Sequence, residues 1–240
     1  MLIKTKGIVL RNVKYGESSL ILDMYTEDNG LISLIIGGIR KQRAKTPASI
    51  FQVMTWLEIV LYYRERSNLN RIKEARPLFL YNTIPFDIRK KGVALFITEV
   101  LQKTLKEKVG DTSLFNFIFN MFYFLDRTNH TIANLIPYFL LKLSGLLGFQ
   151  PYGNWTKNTP YFHLLHGQFQ AGIEPALTLD AGESKYLAEL NQLGLEECHN
   201  LIVPAEIRKE LVVALIAFYK FHLEKFREPR TTKIFSEIIN

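Results

Sequence analysis

The chain of 240 residues contains a single cysteine, Cys198. One thiol excludes both an internal disulfide framework and a four-cysteine zinc site. Long hydrophobic runs are also missing, because the longest apolar stretches, 31–36 and 117–125, are too short or too polar to span a bilayer. The N-terminus lacks the continuous apolar core of a secretion signal. We therefore expect a cytoplasmic protein without a membrane span.

Familiar catalytic motifs are absent from the sequence as well. It contains no phosphate-binding Gly-x-x-x-x-Gly-Lys-Ser/Thr, no His-Glu-x-x-His, no Gly-x-Ser-x-Gly and no Gly-x-Gly-x-x-Gly. Cys198 follows Glu196 and Glu197, whose negative charge would raise the pKa of the thiol and disfavour a nucleophilic role. The sequence therefore predicts a binding protein that is not an enzyme and has no cofactor.

Acidic residues are missing between Asp28 and Glu58, and this stretch contains a basic loop, residues 37–45. The loop begins with two glycines, four cations follow them, and Pro47 stands two positions after the last cation. Its cations are Arg40, Lys41, Arg43 and Lys45. Because no nearby carboxylate neutralises them, they are predicted to bind a polyanion. The alternative is a solvated loop that serves only solubility.

Charge is distributed unevenly along the chain. Residues 1–80 contain 13 Lys and Arg against 7 Asp and Glu, whereas residues 81–240 contain 17 against 16. Nearly all of the net charge of +7 therefore belongs to the first third. This asymmetry predicts one domain that contacts a phosphate backbone and another with a different task.

The first third has the pattern of short β-strands. Two turns are predicted between its first three strands, one at Lys14–Glu17 and a hairpin at Asn29-Gly30 in which both residues adopt positive φ. The predicted strands cover about 7–10, 19–25, 31–36, 55–63 and 69–75. Five strands of this length predict a small closed barrel of the OB type, a fold that commonly binds single strands.

The candidate DNA-binding surface combines cations with aromatic side chains. Tyr15, beside Lys14 in a polar turn, is the favoured platform for base stacking, while most other aromatic residues of so small a barrel are expected in its core. The predicted DNA-binding residues are Lys6, Arg11, Lys14, Tyr15, Arg40, Lys41, Arg43, Lys45, Arg64 and Arg66. Further cations and aromatics in this third are Lys4, Arg71, Lys73, Arg76, Tyr25, Phe51, Trp56, Tyr62 and Tyr63.

From residue 84 onward the hydrophobic period lengthens to that of helices. Four helices are predicted at about 92–105, 112–125, 131–147 and 204–226. We therefore predict an α+β protein, with an N-terminal five-stranded OB-type β-barrel domain at 1–80 and an all-helical domain at 81–240.

An irregular, metal-free loop region is predicted at about 150–175. It contains His163 and His166, and Cys198 lies further on. Histidines without a carboxylate or cysteine at ligand spacing are more often structural or surface residues than ligands. The sequence leaves open whether a metal binds through these three residues.

Several short motifs, in order and spacing, resemble the RecO family of bacterial DNA repair and recombination mediators. The similarity extends over the full chain, although each motif alone is short. The motifs are Thr5–Leu10, Tyr15-Gly16-Glu17, Tyr25-Thr26 ahead of Gly30, Gly37–Lys41, Phe139–Leu143, Gly148–Pro151 and Tyr219–Leu223.

The resemblance implies an OB barrel followed by a helical domain. It also implies binding to single- and double-stranded DNA, annealing of complementary strands, and loading of RecA together with RecR. A further implied partner is the acidic, apolar C-terminal tail of single-stranded DNA-binding protein. Many members carry two Cys-x-x-Cys pairs after the position of Pro151, but this chain has Asn154 and Lys157 near the first pair, so zinc is not carried over.

For the tail, an apolar groove rimmed by cations is expected, and Arg127 and Lys142 are candidates for that rim.

Two other functions share the basic barrel. A Mg²⁺-dependent structure-specific nuclease would shorten DNA, and an RNA-binding OB module would prefer structured RNA to single-stranded DNA. The nearly neutral helical domain fits protein docking better than either alternative.

Overall fold

The computed structural model describes residues 1–39, 47–64, 67–106 and 109–232. They form two compact units. The first unit contains the described residues of Met1–Asn82 and Thr98–Phe119, and the second contains Thr83–Ile97 and the described residues from Asn120 onward. The domain boundary placed at residue 80 stays a prediction.

The first unit contains a closed five-stranded barrel. Its strands are β1 (Leu2–Tyr15), β2 (Ser19–Thr26), β3 (Gly30–Ile36), β4 (Trp56–Tyr62) and β5 (Asn70–Pro77). They follow one another around the barrel in the order β1-β2-β3-β5-β4, and β1 pairs with β4 to close it. Only the pairing of β3 with β5 is parallel among these strands. The predicted OB-type barrel is thus confirmed.

Alternation of side chains along each strand fills the barrel. Every second residue of β2 and β3 points inward, and a short 3₁₀ helix, Ala48–Phe51, adds Phe51 to the same core. The buried residues include Leu20, Leu22, Met24, Ile32, Leu34, Ile36, Ile59 and Leu61. The residues at the intervening positions of these strands therefore face outward, and a ligand can contact the strands through them.

The strand β1 is longer than its apolar run predicts. Thr5 and Gly7 occupy inward positions, so the expected apolar alternation is interrupted there. Thr5 Oγ1 donates a hydrogen bond to Asp28 Oδ2 at 2.7 Å. A Cβ atom on Gly7 would lie 2.7 Å from the carbonyl oxygen of Tyr25, which explains why glycine stands at this close approach of β1 and β2.

The turn between β2 and β3 differs in detail from the prediction. Gly30 adopts positive φ (59°), but Asn29 does not, so the predicted conformation of Asn29 is wrong. Thr26 pairs with Gly30, which leaves a three-residue loop instead of a two-residue one. Gly30, the residue that follows this loop, adopts the left-handed conformation, which glycine reaches without strain.

Within the described residues, five helices and a small sheet follow the barrel. They are α1 (Ile88–Thr104), α2 (Thr112–Arg127), α3 (Leu135–Leu146), α4 (Ala181–Gln192) and α5 (Ala205–His222), with strands β6 (Tyr161–His163) and β7 (Gln168–Gln170) between α3 and α4. The region predicted to be irregular therefore contains a two-stranded sheet. No predicted helix corresponds to α4, although Asp180 and Glu183 form a capping box at its start.

The second unit has its core where α3, α4 and α5 meet. Tyr219 of α5 is buried there and donates a hydrogen bond to the carbonyl oxygen of Leu140 at 2.8 Å. Other buried side chains in this core are Leu187, Leu190, Leu211, Leu215 and Phe218. Among the described residues, no helix has both the length and the apolar character needed to cross a membrane.

Candidate nucleic-acid interface

A row of outward-facing side chains crosses all five strands of the barrel. Adjacent strands pair Val13 with Ile21, Ile21 with Ile35, Ile35 with Arg71, and Arg71 with Tyr62. We call these five residues the oblique row. Its ends, Val13 and Tyr62, are about half exposed, and the two isoleucines between them are partly buried. The row offers an apolar and aromatic surface interrupted by one cation.

The row runs obliquely because the barrel is sheared. Tyr62 pairs not with Val13 but with Leu2, at the opposite end of β1. One end of the row therefore lies near the turn between β1 and β2, and the other end lies near the connection between β4 and β5. A path of this kind suits an extended single strand, since bases can contact the row while cations at both ends contact phosphates.

Lys14 and Tyr15 are located at the first end of the row. Both side chains are exposed, and Tyr15 stands two residues after Val13, which places it on the same face of β1. Ile39 N–H donates a hydrogen bond to the carbonyl oxygen of Ser18 at 3.2 Å. The chain therefore leaves β3 beside this turn and enters the basic loop at the same end of the row.

The four cations of the basic loop, Arg40, Lys41, Arg43 and Lys45, lie outside the described residues, as does Arg66. Arg64 is exposed at the second end of the row, where its N–H donates to Asn70 Oδ1 at 2.8 Å. Within the described ranges, the guanidinium groups of Arg64 and Arg71 have no ion-pair partner. Both charges are therefore available to an anionic ligand.

Two predicted DNA contacts already have acidic partners. Arg11 Nε lies 2.6 Å from Asp23 Oδ2, and Lys6 Nζ lies 3.8 Å from Glu27 Oε2. Asp23 also accepts a hydrogen bond from Ser33 Oγ at 2.6 Å. Since these carboxylates offset their partners' charges, Arg11 and Lys6 contribute less positive potential to the surface than Lys14 and Arg64, which have no ion-pair partner among the described residues.

A second carboxylate on the barrel, that of Glu58, also forms ion pairs with cations of the chain. Glu58 contacts Arg76 and Lys4, with Lys4 Nζ at 3.0 Å. Hydrogen bonds from Arg76 and then Lys4 lower the pKa of Glu58, and the Glu58 carboxylate in turn raises the pKa of Arg76. In the described part of the barrel, Asp23 and Glu58 are thus held by cations of the chain itself.

The aromatic residues divide between core and surface as expected. Tyr25, Phe51 and Trp56 are buried, and Trp56 packs edge-on against Phe115 and Phe119. Tyr15 and Tyr62 are exposed instead and lie near opposite ends of the row. Sequence reasoning did not identify Val13, Ile21 or Ile35 as surface residues, because only the register shows that they point outward in one line.

An open cavity of about 890 Å³ in the second unit contains Arg127. The Arg127 guanidinium lies 5.5 Å from the ring centre of Tyr123, and Arg127 Nε lies 3.6 Å from Asp126 Oδ2. Further lining residues are Phe124, His130, Leu195, Glu196 and Glu197. The lining of the cavity therefore combines aromatic rings with a cation and carboxylates.

Lys142, the second rim candidate, is not among the residues that line this cavity. Its Nζ donates a hydrogen bond to the carbonyl oxygen of Asn191 at 2.6 Å and lies 5.4 Å from the ring centre of Tyr138. Burial lowers the pKa of Lys142 and raises that of Tyr138 to about 12. The contacts of Lys142 thus tie α3 to the end of α4.

The residues near the expected cysteine pair do not fit a zinc site. The turn at 156–159 closes through its own hydrogen bonds, with Thr156 Oγ1 and Thr159 Oγ1 at 2.7 Å and Thr159 N–H donating to the Thr156 carbonyl at 3.2 Å. His163 is buried, its Nδ1 accepts from His166 N–H at 3.1 Å and its Nε2 lies 3.4 Å from Glu174 Oε2. The described residues contain no group of three potential metal ligands.

Cys198 is buried and donates from Sγ to the carbonyl oxygen of Leu195 at 3.1 Å. Burial raises the pKa of this thiol to about 11. The predicted direction is therefore confirmed, but its main cause is burial and not the neighbouring glutamates. A thiol with this pKa is protonated at neutral pH and is a poor nucleophile.

Comparison with known proteins gives matches over both units. A family model described as recombination protein O N terminal matches residues 1–81, and one described as recombination protein O C terminal matches residues 85–231. The chain is 32% identical to the DNA repair protein RecO of Christiangramia forsetii, with 99% of each chain covered. It is 28% identical to the protein of that name from Phocaeicola vulgatus and 30% identical to the one from Flavobacterium johnsoniae, over the full length of each.

Proposed function

The chain belongs to the RecO family of DNA repair proteins, and we propose that it acts as a recombination mediator on DNA. In this role it binds single- and double-stranded DNA, anneals complementary strands and helps to load RecA onto strands covered by single-stranded DNA-binding protein. RecR and the tail of single-stranded DNA-binding protein are its proposed partners. Its proposed location is the cytoplasm, at the nucleoid.

The observation that carries the DNA-binding part is the oblique row, whose ends carry cations that form no ion pair within the described part of the chain. Lys14 at one end and Arg64 with Arg71 at the other suit phosphates, while Tyr15 and Tyr62 suit bases. Contacts to phosphates and base faces do not read the sequence, and this is what a general mediator requires.

Annealing then requires no bond to be broken. Two complementary strands repel each other through their phosphates, and a positive surface that neutralises both lowers that repulsion. We therefore propose that the protein is not an enzyme. Asp23 and Glu58 are engaged by Arg11 and by Arg76 with Lys4, an arrangement that does not favour a Mg²⁺-dependent nuclease on the described part of the barrel.

The proposal is tested by mixing two complementary labelled strands with the protein in two parallel reactions, one with Mg²⁺ and one with a chelator. We expect faster formation of duplex than without protein, and strands that keep their full length on a denaturing gel. Shortened products that require Mg²⁺ would instead indicate a nuclease. Stronger competition by structured RNA than by single-stranded DNA would indicate an RNA-binding module.

The tail-binding part concerns Arg127. A terminal carboxylate would pair with the guanidinium while apolar residues contact Tyr123. We expect Arg127→Ala to weaken binding of a labelled tail peptide by about tenfold, as measured by fluorescence anisotropy. Lys142→Ala serves as the comparison, since the Lys142 ammonium is engaged by the Asn191 carbonyl and should affect binding less. Unchanged binding in both variants would remove both residues from the peptide site.

A further inference from the structure

Two large apolar side chains are exposed at the start of α1. Phe86 is 86% exposed and Ile88 is 75% exposed. Single exposed apolar residues are common on protein surfaces, but two that are this exposed lie here only two positions apart, and we call this pair the apolar patch. Such patches in natural proteins usually mark an interaction site.

The segment that presents this patch is held firmly. Thr83 N–H and Ile84 N–H donate to Asp126 Oδ1 at 2.8 and 3.0 Å, and Phe86 N–H donates to the Thr83 carbonyl at 2.9 Å. Asp87 Oδ1 accepts from the backbone N–H groups of Arg89 and Lys90. Although burial opposes the shift, the Lys90 and Arg89 backbone hydrogen bonds lower the pKa of Asp87. A partner would therefore meet a preorganised surface.

Cations border the patch. Arg89 and Lys91 are exposed, and the first turn of α1 contains no acidic residue, although acidic residues are favoured at that position. Lys91 has no ion-pair partner within the described chain, and Arg89 Nε lies as far as 3.9 Å from Asp87 Oδ1. The electrostatic complement of this surface is a segment that carries carboxylates beside apolar side chains.

We propose that Phe86 and Ile88, bordered by Arg89 and Lys91, form a docking site for an acidic, apolar peptide segment of a partner protein. In such a segment the carboxylates pair with Arg89 and Lys91 while the apolar side chains contact Phe86 and Ile88. The segment 83–90 is hydrogen-bonded to residues 126–128, and Arg127 and Thr128 line the cavity described above. The segment that carries the site is thus joined to residues of that cavity, and the inference rests on the proposed tail binding.

The test compares two pairs of substitutions in the full chain. Phe86→Ser with Ile88→Ser removes the patch, and Ile202→Ser with Val213→Ser removes two other side chains of the same unit that are 88% and 61% exposed. The probe is the labelled tail peptide of single-stranded DNA-binding protein. We expect the first pair to weaken binding by at least about tenfold and the second by less than about twofold. Strand annealing, measured on both variants, shows that each is folded.

Three results would overturn the inference. If the Phe86 and Ile88 variant binds the peptide as tightly as the native chain, the tail docks elsewhere and the proposed function stands. If that variant no longer binds single-stranded DNA but still binds the peptide, the patch is a DNA-binding surface. If the native chain anneals strands but does not bind the peptide, both the docking site and the proposed tail binding fail, whereas the DNA-binding function stands.

Discussion

Changing Arg40, Lys41, Arg43 and Lys45 together to alanine is expected to weaken binding to a labelled single strand by on the order of a hundredfold at low salt. Each cation that neutralises a phosphate releases counterions, and for single strands the slope of log affinity against log salt changes by about 0.7 per contact. Loss of all four contacts should therefore make the slope shallower by about three. Fluorescence anisotropy across a salt series measures both quantities.

The structure supplies the reason for placing such contacts in this loop. Ile39, directly before the first of these cations, is buried in the barrel core and is hydrogen-bonded to Ser18 beside the turn that carries Lys14 and Tyr15. The loop thus begins where the oblique row ends. This position of residues 37–39 is the reason for expecting phosphate contacts from the cations that follow them in the sequence.

A charge-matched variant separates a local contact from the effect of net charge. The variant changes four lysines of the second unit to alanine and so removes the same number of positive charges. These are Lys157, Lys185, Lys209 and Lys220. We expect this variant to keep the native slope within about one. Equal losses in both variants would mean that total charge governs binding, and an unchanged slope in the loop variant would move the DNA site away from the loop.

The barrel could be predicted because its strands follow local rules. Alternating apolar residues in 19–25 and 31–36 and the glycine of the intervening turn indicate a hairpin without knowledge of the rest of the chain. Lys4 and Lys6 alternate with Thr5 and Gly7, which are polar or lack a side chain, so the first half of β1 carries no such signal. Its inward positions are explained only by contacts from β2 and from Asp28.

The candidate site was less predictable than the fold. Cations and aromatic residues are visible in the sequence, but the oblique row depends on the register of five strands, which no local pattern encodes. The ion pair of Arg11 with Asp23 joins residues that are 12 positions apart. Its effect on the surface charge therefore appears only once β1 and β2 are paired.

In the helical part, apolar periodicity indicated four helices but missed α4. This helix buries only Ser184, Leu187 and Leu190, so its apolar stripe is narrow. Its capping box, Asp180 with Glu183, was the available signal. The exposed Phe86 and Ile88 were equally hidden, because an apolar residue near a helix start is normally expected to be buried.

The largest loss of stability is expected from Lys90→Met. Lys90 is only 8% exposed, and its Nζ donates to Thr83 Oγ1 at 2.9 Å, to the Thr128 carbonyl at 2.8 Å and to the Asp126 carbonyl at 3.3 Å. Methionine has a similar shape but no donor, so these three buried or partly buried acceptors lose a charged hydrogen-bond partner. Breaking such a network costs about 3–5 kcal/mol of unfolding free energy.

Urea denaturation followed by circular dichroism measures this change, and Lys91→Met is the matched control. Lys91 is the next residue of the same helix and is exposed, so its substitution should change the free energy of unfolding by no more than about 0.5 kcal/mol. A loss below about 1 kcal/mol in Lys90→Met would show that water replaces the missing hydrogen bonds at little cost.

The same substitution links stability to docking. Lys90 and Asp126 fix the segment that presents Phe86 and Ile88, whereas the oblique row belongs to the other unit. Under conditions in which the variant remains folded, Lys90→Met should therefore weaken binding of the tail peptide. The slope of log affinity against log salt for single-stranded DNA should equal that of the native chain. An equal loss of affinity for the peptide and for single-stranded DNA would mean that the network supports the whole chain and does not specifically position the docking site.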